Sequence, residues 1–66
     1  MTPREYADTN NMTLPEFFFH AWREVTQHAP EHGDSKAILQ DYGAYNVHGT
    51  VPKYVESFLR RAGSQS

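Results

Sequence analysis

The chain has 66 residues, enough for one small domain. It has no cysteine, so neither disulfides nor thiolate metal sites can reinforce its core, whereas aromatic residues reach 14% and can build a packed core. A formal net charge of −2 argues against a general binder of nucleic acid or anionic membranes. Because there is no long apolar run, we expect a cytoplasmic protein with neither a signal peptide nor a membrane span.

The N-terminal segment carries helix-start chemistry but little that could be buried. Thr2-Pro3-Arg4-Glu5 has the pattern of a capping box, in which Thr and Glu side chains satisfy each other's backbone amides. Only Tyr6 and Ala7 follow before a polar stretch, and so short a helix is unstable by itself. We therefore expect residues 1–12 to form an N-terminal tail or a short helical turn.

The first stable helix is predicted to begin after Thr13. With Thr13 as N-cap, Glu16 falls at the third helical position and completes a second capping box. Pro15 is tolerated because amides of the first turn have no intrahelical acceptor to lose. The helix is predicted over about 14–28, because Pro30 disfavours helical geometry in the residue before it.

A shorter helix is predicted over about 35–42. Asp34 is a suitable N-cap, and Gly43 suits the left-handed position after a helix end. Residues 44–48 could then be extended. The expected buried edge of this helix consists of Ile38, Leu39 and Tyr42.

The last helix is predicted to open at Thr50-Val51-Pro52 and to run to about Ala62, with Gly63 in the left-handed position beyond it. The sequence therefore predicts an all-α domain, a small bundle of three main helices over residues 13–63. Residues 64–66 would form a C-terminal tail.

The histidines do not indicate catalysis or metal binding. His28 and His32 are four residues apart, but Pro30 between them prevents the regular helix that would place both on one face. We interpret this stretch, with its acidic neighbours, as a solvated polar loop. No motif connects His20 or His48 to a nucleophile, and we expect His20 to be exposed. The sequence thus predicts no catalytic residue, no cofactor and no metal site.

The aromatic run Phe17-Phe18-Phe19 with Trp22 is the most informative feature of the sequence. Helical spacing gives a core stripe centred on Phe18, and Phe19 then points about 120° away from it. Three alternatives stay open: the N-terminal tail covers Phe19, another chain covers it, or it is an exposed residue without a role. The core stripe consists of Leu14, Phe18, Ala21 and Val25.

The last helix suggests a different use of the surface. Lys53 and Arg60 share its outer face, with Glu56 between them, and could contact DNA phosphates. A helix-turn-helix comparison is allowed by the order of the elements, but the predicted turn over 43–49 exceeds the usual three or four residues. A solvated face of mixed charge is the simpler interpretation.

The spacing of these features resembles that of the YozE-like family of small bacterial proteins with a sterile-alpha-motif-like (SAM-like) helical fold. The similarity covers residues 16–63, although Tyr45-Asn46 replaces the family's Phe-Pro step and the family's C-terminal helix has no counterpart. The resemblance implies a SAM-like bundle more than a specific function. The residues that carry it are Phe17-Phe18, Gly33, Asp41, Tyr45, Val55-Glu56-Ser57-Phe58-Leu59 and Gly63.

We expect a non-enzymatic protein–protein interaction module, a bacterial or phage-encoded adaptor or inhibitor. Its partner would be another protein, with self-association included, and the contact would bury the aromatic surface of the first main helix. The competing hypothesis is a small DNA-binding regulator that uses Lys53 and Arg60. The expected partner-binding residues are Phe19, Trp22, Arg23 and Thr26, with Arg23 and Glu24 as rim contacts.

Overall fold

The computed structural model describes residues 1–64, which form four α-helices and no strand. The all-α prediction is confirmed, but there are four helices rather than three. The second helix packs against each of the other three and is the centre of the bundle. The helices are α1 (Pro3–Thr9), α2 (Leu14–Thr26), α3 (His32–His48) and α4 (Lys53–Ser64).

Helix α1 occupies the segment for which the sequence predicts only a tail or a short turn. Its capping box is formed: the Glu5 amide donates to Thr2 Oγ1 at 3.1 Å, and the Thr2 amide donates to Glu5 Oε1 at 3.3 Å. A helix of seven residues is too short to be stable in isolation, so the cap alone does not explain it.

Tertiary packing supplies the remaining stability of α1. Ala7 is buried in the core. The ring centroid of Tyr6 lies 5.1 Å from that of Phe17 and 5.1 Å from that of Phe58. These contacts are with α2 and α4, so helix-start rules applied to residues 1–12 could not reveal them.

Helix α2 begins as predicted. Thr13 is its N-cap, and the Glu16 amide donates to Thr13 Oγ1 at 3.3 Å. The helix ends at Thr26, two residues before the predicted end. Gln27 adopts the left-handed conformation with φ of 65°, and its amide donates to the Arg23 carbonyl at 2.9 Å. The helix is therefore terminated by this cap before Pro30 can influence it.

Helix α3 is about twice as long as predicted, and both predicted boundaries are wrong. Glu31 precedes the helix, and its amide donates to Asp34 Oδ2 at 3.3 Å, so Asp34 is the third helical residue and not the cap. Gly43 lies within the helix, and residues 44–48 are helical rather than extended. The left-handed C-cap is Gly49, with φ of 75°.

Helix α4 confirms the last predicted helix with shifted ends. The Glu56 amide donates to the Pro52 carbonyl at 3.0 Å, which starts the helix after the predicted proline. Gly63 does not terminate it, because the helix continues to Ser64. Of the predicted tail over 64–66, residues 65 and 66 lie outside the described part of the chain.

The core is mainly aromatic. Phe17 and Phe18 are both fully buried, although Phe17 is not part of the predicted core stripe. The ring of Phe18 contacts those of Tyr42 and Tyr45 on α3, with 6.0 and 5.8 Å between ring centroids. Leu39, expected on the buried edge of α3, is 51% exposed. The buried apolar residues are Ala7, Phe17, Phe18, Ala21, Ile38, Val55 and Phe58.

Candidate functional site

One flank of α2 carries the residues that the sequence predicts to bind a partner. Phe19 and Trp22 are partly buried and pack against the core, whereas Arg23 is exposed. The Thr26 hydroxyl donates to the Trp22 carbonyl at 2.7 Å, and this bond orients the Thr26 side chain in the last turn of α2. The helix thus brings together two half-open rings, a cation and a hydroxyl. We call this set the α2 patch: Phe19, Trp22, Arg23 and Thr26.

The N-terminal helix does not place its aromatic ring over Phe19. Tyr6 contacts the rings of Phe17 and Phe58 instead. The aromatic ring pairs found among residues 1–64 do not include Phe19. Phe19 therefore keeps part of its surface open to solvent while its remainder packs against the core.

Trp22 is held by rings from two directions. Its ring lies edge-on to Tyr54 of α4 at 5.3 Å and to His28 at 6.1 Å between centroids. Its Nε1–H is buried and has no hydrogen-bond acceptor within the described part of the chain. A buried donor without a partner is destabilising, so the packing of this ring must compensate for it.

A hydrogen bond beside Trp22 joins α3 to α4. The Tyr54 hydroxyl donates to Asp41 Oδ2 at 3.1 Å. Burial raises the pKa of Tyr54 well above its usual value, and the negative charge of Asp41 and this hydrogen bond raise it further. The phenol therefore stays protonated and holds the two helices together over the ordinary pH range.

A cleft of about 320 Å³ lies where α1, α2 and α4 meet. His20 packs its ring edge-on against Phe58 at 5.2 Å, so it is half-buried rather than exposed as predicted. This contact gives His20 a packing role in the wall of the cleft. The lining residues are Tyr6, His20, Glu24, Gln27, Phe58, Arg61 and Ala62.

The stretch with His28 and His32, predicted to be a solvated polar loop, is partly helical in the structure. His28 places Nδ1 3.0 Å from the Ala29 carbonyl, while His32 is the first residue of α3. Asp34 is used in the cap of that helix. Among residues 1–64, no group of three or more His, Cys, Asp or Glu side chains is placed to hold a metal ion.

The basic residues predicted to contact DNA lie on the exposed side of α4. Lys53 is exposed, and Arg60 pairs through Nη2 with Glu56 Oε1 at 3.5 Å. The Arg60 and Glu56 side chains are 77% and 60% exposed, so solvent screens this pair strongly. Glu56 therefore lies on the same exposed face of α4 as Lys53 and Arg60.

The outer side of α3 carries a feature that the sequence reading missed. Leu39 is 51% exposed and Val47 is 72% exposed, and both belong to the same helix. Their spacing of eight residues was a usable signal, but the predicted end of the helix at Gly43 separated them. Apolar side chains are therefore exposed to solvent on α3 as well as on α2.

Comparisons with protein-family models, curated proteins and solved structures give no significant match. The resemblance to the YozE-like family accordingly rests on the quoted residues alone. Among residues 1–64, no helix combines the length and the hydropathy that crossing a membrane requires.

Proposed function

We propose that this chain is a non-enzymatic protein–protein interaction module, a bacterial or phage-encoded adaptor or inhibitor, whose partner binds the α2 patch. The observation that carries the proposal is that Phe19 and Trp22 remain partly exposed after all four helices have packed. Half-open aromatic rings beside an exposed Arg23 are the combination that contributes most to binding energy in protein interfaces. Trp22 is also fixed by Tyr54, so little side-chain entropy is lost when a partner covers it.

The non-enzymatic part of the proposal is supported by what the ionisable residues do. His20 lies in the wall of the cleft and packs against Phe58. Asp41 accepts the hydrogen bond of Tyr54, and Asp34 accepts one from the Glu31 amide. Each of these groups has a structural role that accounts for its position.

The assignment to a SAM-like bundle related to the YozE-like family also belongs to this proposal. It is supported by the quoted residues: Phe17-Phe18 opens the core, and Val55 and Phe58 complete it from α4. The additional helix α1 is a feature that the resemblance did not include.

The test of the α2 patch begins with a pull-down from cell lysate, with the eluate tested for protein and for nucleic acid. Phe19→Ser should weaken binding to the recovered protein about 30-fold or more, since an anchoring aromatic contributes at least ~2 kcal/mol. Ala37→Ser is the control, because it changes an exposed apolar residue on α3 that lies outside the α2 patch. It should bind as the unmodified chain does.

A second variant keeps this test informative if Phe19→Ser unfolds the protein. Arg23→Glu changes an exposed residue in the last turn of α2, so it should lower the melting temperature only slightly and still weaken binding. Unchanged binding by both variants would exclude the α2 patch as the contact surface. Loss of folding in Phe19→Ser would show that Phe19 is chiefly a core residue.

One observation favours the DNA-binding alternative. The connection between α3 and α4 is residues 49–52, four residues and not the longer turn that the sequence predicted. This length is within the range of helix-turn-helix motifs. Lys53→Glu combined with Arg60→Glu should then abolish salt-dependent binding to duplex DNA. The same double variant should leave protein binding through the α2 patch intact.

A further inference from the structure

The outer face of α3 carries an apolar stripe with a glycine at its centre. Leu39, Gly43 and Val47 are spaced by four residues, so they fall within about 80° of arc on the helix. Leu39 and Val47 are 51% and 72% exposed, and a Cβ placed on Gly43 would meet nothing within 4 Å. Within residues 1–64, therefore, both ends of this stripe face solvent, and Gly43 between them is partly exposed.

Gly43 has no role that requires glycine in the part of the chain that the structure describes. It lies in the middle of a 17-residue helix and does not have the positive φ that glycine tolerates better than other residues. A glycine at such a position weakens a helix relative to alanine. What glycine uniquely allows is the close approach of another backbone.

The stripe also lacks the charges that keep other exposed faces of this protein solvated. Between Lys36 and Lys53 the chain has one formal charge, Asp41, and that carboxylate accepts the hydrogen bond of Tyr54. The exposed side of α4, by contrast, carries Glu56 and Arg60. Depletion of charge around exposed aliphatic residues is typical of the centre of a protein interface.

We propose that this face binds a second copy of the chain, with the two α3 helices antiparallel and crossing at Gly43. The stripe is symmetric about its centre, because Leu39 and Val47 lie equally far from Gly43. A two-fold axis through Gly43 therefore sets Leu39 of one copy against Val47 of the other, twice, as an interface between identical surfaces requires. The glycines meet at the point of closest approach.

Lys36 favours this antiparallel arrangement over a parallel one. It lies about 10 Å before Gly43 along the helix axis, whereas α3 ends at His48, about 8 Å after it. In the antiparallel pair, Lys36 of each copy falls just beyond the carboxyl end of the other α3, where unpaired carbonyl groups carry partial negative charge. In a parallel pair the two Lys36 ammonium groups would lie together and repel.

One pair of helices is a small interface, so the dimer is weak. Stable interfaces bury more than about 1,000 Å² in total, and a single helix face provides less. We therefore expect a Kd between ~0.1 and 1 mM, to be measured by sedimentation equilibrium up to ~1 mM chain. A chain that stays monomeric at ~1 mM would overturn the proposal.

Gly43→Ala separates the dimer from the stability of the monomer. The added methyl group strengthens the helix and has open space in the monomer, so the melting temperature at low concentration should rise by a few degrees. It should nevertheless raise the Kd of the dimer at least ~5-fold, because the helices can no longer approach closely. Gly63→Ala is the matched control: it adds the same methyl group to α4 and should leave the dimer unchanged. A dimer as tight as before in Gly43→Ala contradicts the proposal.

Introduced cysteines test the orientation, since the natural chain has none. When Leu39→Cys chains are mixed with Val47→Cys chains under mild oxidation, the antiparallel pair predicts disulfides between the two different chains. Disulfides between identical chains would instead show a parallel pair and overturn the arrangement. Val47→Lys should abolish association, while Ala37→Lys, which adds the same charge at an exposed site outside the stripe, should not.

This inference is independent of the α2 patch. Phe19→Ser chains that remain folded should dimerise normally, and Val47→Lys chains should still bind the partner recovered by the pull-down. Failure of either proposal is therefore distinguishable from failure of the other.

Discussion

Tyr6→Ala tests whether α1 is an integral part of the fold. In the structure, the ring of Tyr6 lies between two core rings, tilted by 40° against Phe17 and nearly perpendicular, at 82°, to Phe58. Each centroid distance is 5.1 Å, within the range of favourable aromatic pairs. Removing the ring takes away both of these contacts, one between α1 and α2 and one between α1 and α4.

The expected cost is about 3 kcal/mol. Two aromatic pairs contribute ~0.5–1.5 kcal/mol each, and the loss of a buried aromatic side chain costs ~3–5 kcal/mol in total. Because Tyr6 is only half-buried, the lower part of that range applies. A domain of this size has about 5 kcal/mol of stability, so the melting temperature should fall by more than ~12 °C.

The measurement is thermal and urea unfolding followed by circular dichroism. Tyr6→Phe is the control, since it keeps the ring, and the Tyr6 hydroxyl has no hydrogen-bond partner among residues 1–64. It should melt within about 2–3 °C of the unmodified chain. If Tyr6→Ala also melts within about 2–3 °C of the unmodified chain, α1 does not pack against the core. The N-terminal segment would then behave as the tail that the sequence predicted.

Two further predictions concern the cap of α2 and the junction of α3 with α4. Thr13→Ala removes the acceptor for the Glu16 amide and should cost ~0.5–2 kcal/mol in urea unfolding; an unchanged midpoint would show that the cap does not stabilise α2. Tyr54 has a raised pKa in the folded state, so above about pH 10 the unfolded chain loses this proton first and stability falls as pH rises. Above about pH 10 the stability of Tyr54→Phe should therefore fall less steeply than that of the unmodified chain. Equal slopes would contradict the assigned pKa.

Helix starts were predictable from the sequence where the chemistry is local. Thr13 and Glu16 satisfy each other across three residues, and no distant contact is needed to recognise them. Thr2 and Glu5 show the same pattern, but the stability of that helix depends on Tyr6 reaching Phe58 on α4. A pairing between such distant residues could not be read from one segment.

The boundaries of α3 were predicted wrongly for a related reason. Glycine is the residue type that most often follows the end of a helix, so the sequence predicts that α3 ends at Gly43. A glycine ends a helix in this way where its φ is positive, and in α3 that glycine is Gly49. Asp34 serves the cap from inside the helix and not from the N-cap position. Because the helix was predicted to end at Gly43, Leu39 and Val47 were assigned to two different segments. Their common position on one face of α3 was therefore not recognised.

The candidate site was predictable in part. Helical spacing placed Phe19 off the core stripe, and the structure gives it partial exposure, but packing against the core is more extensive than spacing alone indicated. Trp22 illustrates the limit more clearly, because its contact with Tyr54 depends on how α4 crosses α2.

The central position of α2 has a consequence for where the chain loses entropy on folding. Helices α1 and α3 are the sequence neighbours of α2 and reach it through short connections, whereas α4 must return across the whole of α3. The segment closed by this return spans residues 27–52, and its ends must be brought together before α4 can pack. Tyr54 lies directly after that segment, and its contacts with Asp41 and Trp22 offset the entropy lost in closing it. Lengthening the turn over residues 49–52 would change this entropy only slightly, because the cost grows with the logarithm of the loop length.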